Sequence, residues 1–302
     1  MKCSKTLRGN LLLIVTAFIW GVSFVAQSVG MEHVGPFTFN AVRFLMGGTV
    51  LLPVVFLRLR RQSVHRRSLF SGGLLCGLAL CIASTLQQFG MQTASPGKAG
   101  FITALYIVMV PILGLFLRKK PPVLVWPGVA LAVAGMALLC LGDDLSLSRG
   151  DILVLLCAVC FSFHILIIDH FSPKADGVAL SCIQFFVSGV ISLVGTLLFE
   201  QPSASQLSAA WMPLCYSGLL SCGVAYTLQV VAQKNTDPAV ASLLLSLESV
   251  FAVLGGGVLL QQWLTLREAA GCLLMFAAII LAQLDPKMFT RKKTPADTAG
   301  RR

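Results

Sequence analysis

Residues 77–92, GLALCIASTLQQFGMQ, and residues 218–233, GLLSCGVAYTLQVVAQ, carry four landmarks in one register. Gly77 pairs with Gly218, Cys81 with Cys222, Gln88 with Gln229 and Gln92 with Gln233, each 141 residues apart. Apolar segments share residues by chance, but glutamines in register inside apolar runs are harder to obtain that way. The same offset relates Gly9 to Gly150, Ala17 to Ala158, Phe44 to Phe185, Gly48 to Gly189 and Gly114 to Gly255. It covers four successive apolar runs without a gap, and a fifth follows after a slip of two residues that pairs Gly128 with Gly271.

The runs containing these landmarks are of membrane-spanning length. Of the 302 residues, 56% are hydrophobic and 12% charged, against roughly 25% charged in soluble domains. A single water-facing fold of this size could not hide so much apolar surface, whereas a bilayer solvates it. A span needs about 20 mostly apolar residues. Ten such runs lie at roughly 10–30, 35–57, 68–92, 98–117, 123–141, 152–171, 177–199, 211–233, 239–262 and 267–284. Trp126, Trp211 and Trp263 fall near span ends, where indole rings favour the interface. The expected fold is therefore an all-α integral membrane protein of ten transmembrane helices. Its first repeat covers 9–141, its second 150–284, and a polar, basic and disordered tail follows at 285–302.

Basic residues orient the spans. Lys2, Lys5 and Arg8 precede the first span, and Arg58, Arg60, Arg61, Arg66 and Arg67 join the second to the third. Arg118, Lys119 and Lys120 follow the fourth, Lys174 the sixth and Lys234 the eighth, and six more lie in the tail. The opposite side holds Lys98, Arg149 and Arg267. The positive-inside rule then places both termini in the cytoplasm. Five spans per repeat is an odd number, so the second copy enters the membrane upside down. Inverted repeats are the signature of secondary transporters, because two similar halves can exchange conformations and so alternate access to a shared site.

Several other readings fall away. Lys2, Lys5, Arg8 and the small-x-small string Ala26-Gln27-Ser28 imitate a cleaved signal peptide, but the internal copy of the first span argues against cleavage. Of the ten cysteines, Cys157 and Cys160 have C-x-x-C spacing, yet they lie in an apolar run and read as small fillers. No zinc-type cluster is evident. The net charge of +11 resides in loops and the tail, as topology signals do, so nucleic acid is not an expected partner. There is no P-loop, H-E-x-x-H or G-x-S-x-G, so neither ATP hydrolysis nor enzyme catalysis is expected, and no cofactor. Asp143 and Asp144 read as solvated turn residues.

The first span contains Phe18-Ile19-Trp20-Gly21 and then Ser23-Phe24; the second contains Ala41-Val42-Arg43-Phe44; the ninth runs from Ser242 through Leu247-Glu248-Ser249-Val250-Phe251. In order, and at two five-span halves, these resemble EamA-type transporters of the drug/metabolite transporter superfamily over residues 9 to 284. The resemblance implies carriage, often export, of small metabolites such as amino acids. It also implies a multi-pass protein of the cell (plasma or inner) membrane, with a cavity lined by spans 1, 3, 4, 6, 8 and 9 and with spans 5 and 10 peripheral. The family often has proline after the span-nine glutamate, where this chain has Ser249, so that contribution to breaking the helix is absent.

Ionisable groups deep in spans face protein or a hydrated cavity, since exposure to lipid costs at least a few kcal/mol. Glu248 is a candidate partner for a substrate amine or a protonatable coupling site; helix capping would equally account for it. Arg43 is a buried charge that suits a structural role, with Gln184 as its counterpart and Glu248 as an open choice of partner. His164, opposite Ser23 in the repeat, titrates near neutrality and suits proton coupling, or is a hydrogen-bonded interior histidine. Trp20, Tyr106 and Tyr226 are candidate cavity walls or ordinary packing, and Gln88 and Gln229 candidate polar contacts. Gly255, Gly256 and Gly257 permit close helix approach. The expected partners are a small-molecule substrate, protons and membrane lipids. Competing functions are a lipid flippase or a membrane-embedded enzyme, and oligomeric state has no sequence signal.

Overall fold

On α1 (Lys2–Met31) one face carries exposed large apolar side chains and the other buries small and polar ones together with Leu13 and Phe24. Leu7, Leu11, Val15 and Phe18 recur on one face at 46–59% exposure, whereas Asn10, Ala17, Ser23 and Gln27 are buried. This split suits lipid as the outer solvent, since apolar groups face it freely while polar groups must be satisfied inside. It recurs on α8 (Gly177–Phe199), where Val190, Val194 and Leu197 face out and Gln184, Ser188 and Ser192 are buried.

The computed structural model describes residues 2–59, 66–94, 96–140, 148–260 and 265–284, and every regular element among them is helical. Besides α1 and α8 these are α2 (Pro36–Leu59), α3 (Arg66–Met91), α4 (Pro96–Ala104), α5 (Tyr106–Phe116), α6 (Val125–Cys140), α7 (Arg149–Phe171), α9 (Ala204–Ala209) and α10 (Trp211–Cys215). A π-helical stretch, π1 (Tyr216–Tyr226), precedes α11 (Thr227–Gln233), α12 (Pro238–Leu245), α13 (Glu248–Leu260) and α14 (Leu266–Gln283). Arg60, Arg61, Asp143, Asp144, Trp263 and the tail 285–302 lie outside the described residues.

Eight of these helical segments are long and apolar enough to cross a membrane. The apolar stretches of α6 and α14, Val125–Leu138 and Ala269–Ala282, are shorter. At 1.5 Å per residue each reaches only about 21 Å of a hydrocarbon core about 30 Å thick. They pack along one another, with Gly135 of α6 against Gly271 and Leu274 of α14. Trp126 and Trp211 are exposed at or next to helix starts.

The molecule is organised about α2 and α8, counterparts at the 141-residue offset, which lie antiparallel against each other. Glu200, after the C-terminus of α8, accepts from the backbone N–H groups of Phe37 (3.0 Å) and Thr38 (2.8 Å) at the start of α2. At the other end, Asp176 caps α8 by accepting from Val178 and Ala179 and also pairs with Arg58 at 2.9 Å. Phe44 and Phe185 stack between the two helices with their planes 13° apart. Contacts then repeat by exchange. Gly48 lies against Phe186 as Gly189 lies against Leu45, and Gly77 meets Val187 as Gly218 meets Met46.

Two spans are broken at matching places. The fourth is interrupted at Leu105, between α4 and α5, and the ninth at Ser246–Leu247, between α12 and α13. The missing proline does not prevent the second break. Ser242 and Ser246 return their hydroxyls to the carbonyls of Ala239 and Leu243, and the Leu247 N–H bonds Leu244 in a tightened turn. Ser249 instead donates to the Gly100 carbonyl of α4 at 3.2 Å. The eighth span is widened by π1, and two of its carbonyls take donors from α1: Thr16 to Ala225 at 3.2 Å and Trp20 to Ser221 at 3.4 Å. Such π segments are frequent at functional sites.

Candidate functional site

The two helix breaks set the centre of the site. Each begins a new helix in the interior, so Tyr106 opens α5 and Glu248 opens α13. Backbone N–H groups at a helix start carry partial positive charge, which favours a carboxylate there. The Tyr106 hydroxyl donates to Glu248 Oε1 at 2.8 Å. Glu248 is 3% exposed, and Gly21 of α1 packs directly against its backbone, so α1 and α13 close together at this level.

Beside this pair lies a small cavity of about 30 Å³, room for one or two water molecules. Its lining comes from α1 (Trp20, Ser23, Phe24, Gln27), α2 (Arg43), α3 (Gln87), α4 and α5 (Thr103, Tyr106), α7 (Phe161, Ile165), π1 and α11 (Ser221, Tyr226, Gln229), and α12 and α13 (Leu245, Glu248). These are spans 1, 3, 4, 6, 8 and 9, with Arg43 added from span 2.

Arg43 is held on one side only. Its Nη1 donates to Gln27 Oε1 at 2.8 Å, and the guanidinium lies 4.7 Å from the centre of the Phe44 ring. Gln27 is the node of this network: Gln88 Nε2 donates to the same oxygen at 2.7 Å, and Gln27 Nε2 donates to the Ser23 carbonyl at 3.2 Å. Among the described residues Arg43 Nε and Nη2 have no partner, and neither does the amide oxygen of Gln229. Arg43 and Glu248 do not pair directly; Arg43 turns to Gln27 and Glu248 to Tyr106. Arg43, Glu248 and Gln229 thus line one cavity with aromatic walls, and the unpaired guanidinium nitrogens and amide oxygen are buried beside it. Trp20 and Tyr226 form part of that wall, their rings 4.5 Å apart.

The proposed contacts from sequence divide. Trp20, Arg43, Tyr106, Tyr226, Gln229 and Glu248 line the cavity. Gln88 and His164 do not: both are fully buried behind it. Gln88 supports Gln27, and His164 Nε2 meets Gln184 Oε1 at 3.0 Å, with the ring edge-on to Tyr226. Gln184, at the place of Arg43 in the second half, is therefore paired with His164. Gln27, Gln87 and Thr103 escaped the sequence reading. Gln27 had the same signal as Gln88, an amide inside an apolar span, but it sat in a string that imitates a signal-peptide cleavage site. Cys157 and Cys160 are free thiols one turn apart on α7. Among the described residues no group of His, Cys, Asp and Glu is placed to hold a metal ion.

The helices flanking the cavity are tied at both ends. Lys98 at the start of span 4 pairs with Asp151 at the start of α7 at 2.8 Å, and Asp151 also closes a capping box with Ser148. At the far end Lys119 pairs with Asp169. Burial pushes the Lys119 amine down and the nearby Asp237 carboxyl up.

The profile of the EamA-like transporter family matches this chain twice, over residues 7–141 and 148–284. A transporter of Archaeoglobus fulgidus is 30% identical over 288 residues, spanning 93% of this chain and 87% of its own. The inner membrane transporter YedA of Escherichia coli is 25% identical over 94% of this chain and 93% of its own. The threonine/homoserine exporter RhtA of Escherichia coli is 28% identical, covering 94% and 92%. A solved crystal structure superposes with a TM-score of 0.77 at 18% identity, covering 94% of this chain and 99% of that one, which shows the fold.

Proposed function

Because the chain belongs to the EamA-like transporter family and is a multi-pass transporter of the cell membrane, we propose that it exports small zwitterionic metabolites of the amino-acid type. It does so by alternating access and without ATP. The observation that carries this reading is that Arg43, with two buried guanidinium nitrogens lacking a partner among the described residues, lines the same cavity as Glu248. A carboxylate can take both Arg43 donors, and an ammonium can take Glu248 and the Gln229 oxygen. Charge-assisted bonds of this kind contribute about 1.5–3 kcal/mol each. The direction of transport takes support from a relative named as a threonine/homoserine exporter.

In this reading all ten helices cross the bilayer, α6 and α14 included, as two inverted repeats with both termini cytoplasmic. The antiparallel packing of the counterparts α2 and α8, and the exchanged glycine contacts around them, support the inversion. Exchange of conformation between the halves would open the cavity to one side and then the other. Glu248, whose Oε1 accepts from the Tyr106 hydroxyl, is the protonatable group of the cycle: protonated when the cavity is empty, it gives its proton to water in the opened cavity before it receives the substrate ammonium. His164, sealed behind the cavity wall, takes no part.

Counterflow in proteoliposomes containing only this protein tests the carrier function, with a panel of labelled amino acids and their amine and acid analogues. Saturable uptake of one or more zwitterions is expected, and a silent panel would sink the substrate class. Glu248→Gln should abolish the pH dependence of that flux while the protein stays folded; unchanged pH dependence would remove Glu248 from the coupling step.

A further inference from the structure

A second concavity lies away from the substrate cavity, on the lipid-facing side where α3, α5 and α7 meet, and holds about 640 Å³. Its walls are Leu75 of α3, Phe116 and Leu117 at the end of α5, and Phe163, Ile167 and Phe171 on the last turns of α7. Phe116 is 81% exposed and Leu117 58%, so the groove opens outward rather than into the protein. It runs to the helix ends, where the walls become polar at Lys119 and His170.

The rim is cationic. Lys174 is exposed, donates to His170 Nε2 at 2.7 Å and stands 5.9 Å from the centre of the Phe171 ring. Its ammonium makes no ion pair with a carboxylate among the described residues. Arg118 and Lys120 are exposed alongside, and Arg66 and Arg67 begin α3, whose Gly72 packs on Phe171. Two acidic groups stand near this rim: Asp169, engaged by Lys119, and the Asp237 carboxyl, close enough to act on Lys119. An apolar trough at membrane depth, ending in surplus cations at the interface, is complementary to one kind of molecule: an acyl chain joined to an anionic headgroup.

We propose that this groove is a binding site for an anionic phospholipid, with one acyl chain between Leu75, Leu117, Phe163 and Phe171 and the phosphate at Lys174 and the Lys119–His170 rim. A zwitterionic lipid would fill the trough but gain little from the rim. Each basic residue at a membrane surface shifts anionic-lipid affinity about fivefold.

Native mass spectrometry of the full chain, taken from nanodiscs of equimolar phosphatidylglycerol and phosphatidylcholine, tests the site. Wild type should retain phosphatidylglycerol in preference. Lys174→Ala, at an exposed position, should cut that preference about fivefold, and Lys174→Arg should restore it. Leu75→Trp fills the trough, leaves the cations in place and should reduce retention of both lipids. Equal retention of the two lipids by wild type would overturn the proposal. So would a preference unaltered by Lys174→Ala together with retention unaltered by Leu75→Trp.

Discussion

Arg43→Met separates a structural arginine from a substrate-binding one. Methionine keeps an unbranched stem of similar reach against Phe39 and Phe44 and removes the charge. The fold loses the charged hydrogen bond to Gln27, about 1.5–3 kcal/mol, and a ring contact of about 1–2 kcal/mol. It also loses the desolvation penalty of two buried donors that no atom of the described residues satisfies, about 1–3 kcal/mol each. Gln27 keeps Gln88 as a donor to the same oxygen, so no new acceptor is orphaned there. The opposing contributions are of one size, and the thermal stability of the purified protein should change by no more than about 1 kcal/mol, as is usual when an apolar side chain replaces a buried ion. Substrate binding has no such compensation. Removing both bonds to a substrate carboxylate should cost about 3 kcal/mol, roughly a hundredfold in affinity. Isothermal titration or counterflow would compare the transported amino acid with the amine that lacks its carboxylate. The amino acid should weaken about a hundredfold and the amine hardly at all. Equal weakening of the two, together with a large fall in melting temperature, would refute the reasoning and return Arg43 to a purely structural role.

Two further outcomes bear on the frame. A Cβ at Gly77 would stand 2.6 Å from Val187 and 3.0 Å from the Gln184 carbonyl. Gly77→Leu should therefore destabilise the protein in detergent by more than about 2 kcal/mol, while Gly114→Ala, whose Cβ meets only Lys119 at 3.8 Å, should stay within about 0.5 kcal/mol. For orientation, a fluorescent protein fused at the C-terminus should fluoresce and alkaline phosphatase fused after Ser205 should be active. The reverse pattern would invert the assigned topology.

Residues 77–92 and 218–233 by themselves determined that the chain repeats, and hydropathy determined that it lives in lipid, because both are one-dimensional patterns that survive without coordinates. Trp20, Arg43, Tyr106, Tyr226, Gln229 and Glu248 were legible as candidates for the same reason: a polar or aromatic group inside an apolar span stands out. What they do was not legible. Hydropathy gives depth along a helix but not the direction a side chain takes around it, so Gln88 and Gln87, adjacent in sequence, could not be sorted into support and lining. Nor could Gln27 be separated from its cleavage-like string. The helix breaks at Leu105 and Ser246–Leu247 lack a proline at the break itself, and arise from local hydroxyl–carbonyl bonds and packing between halves. Only the folded chain, with α2 and α8 antiparallel and the first residues of α5 and α13 joined by the Tyr106–Glu248 hydrogen bond, decides that Arg43 and Glu248 share one cavity without touching. That arrangement depends on contacts between residues some 140 to 210 positions apart, and no local pattern in the sequence encodes it.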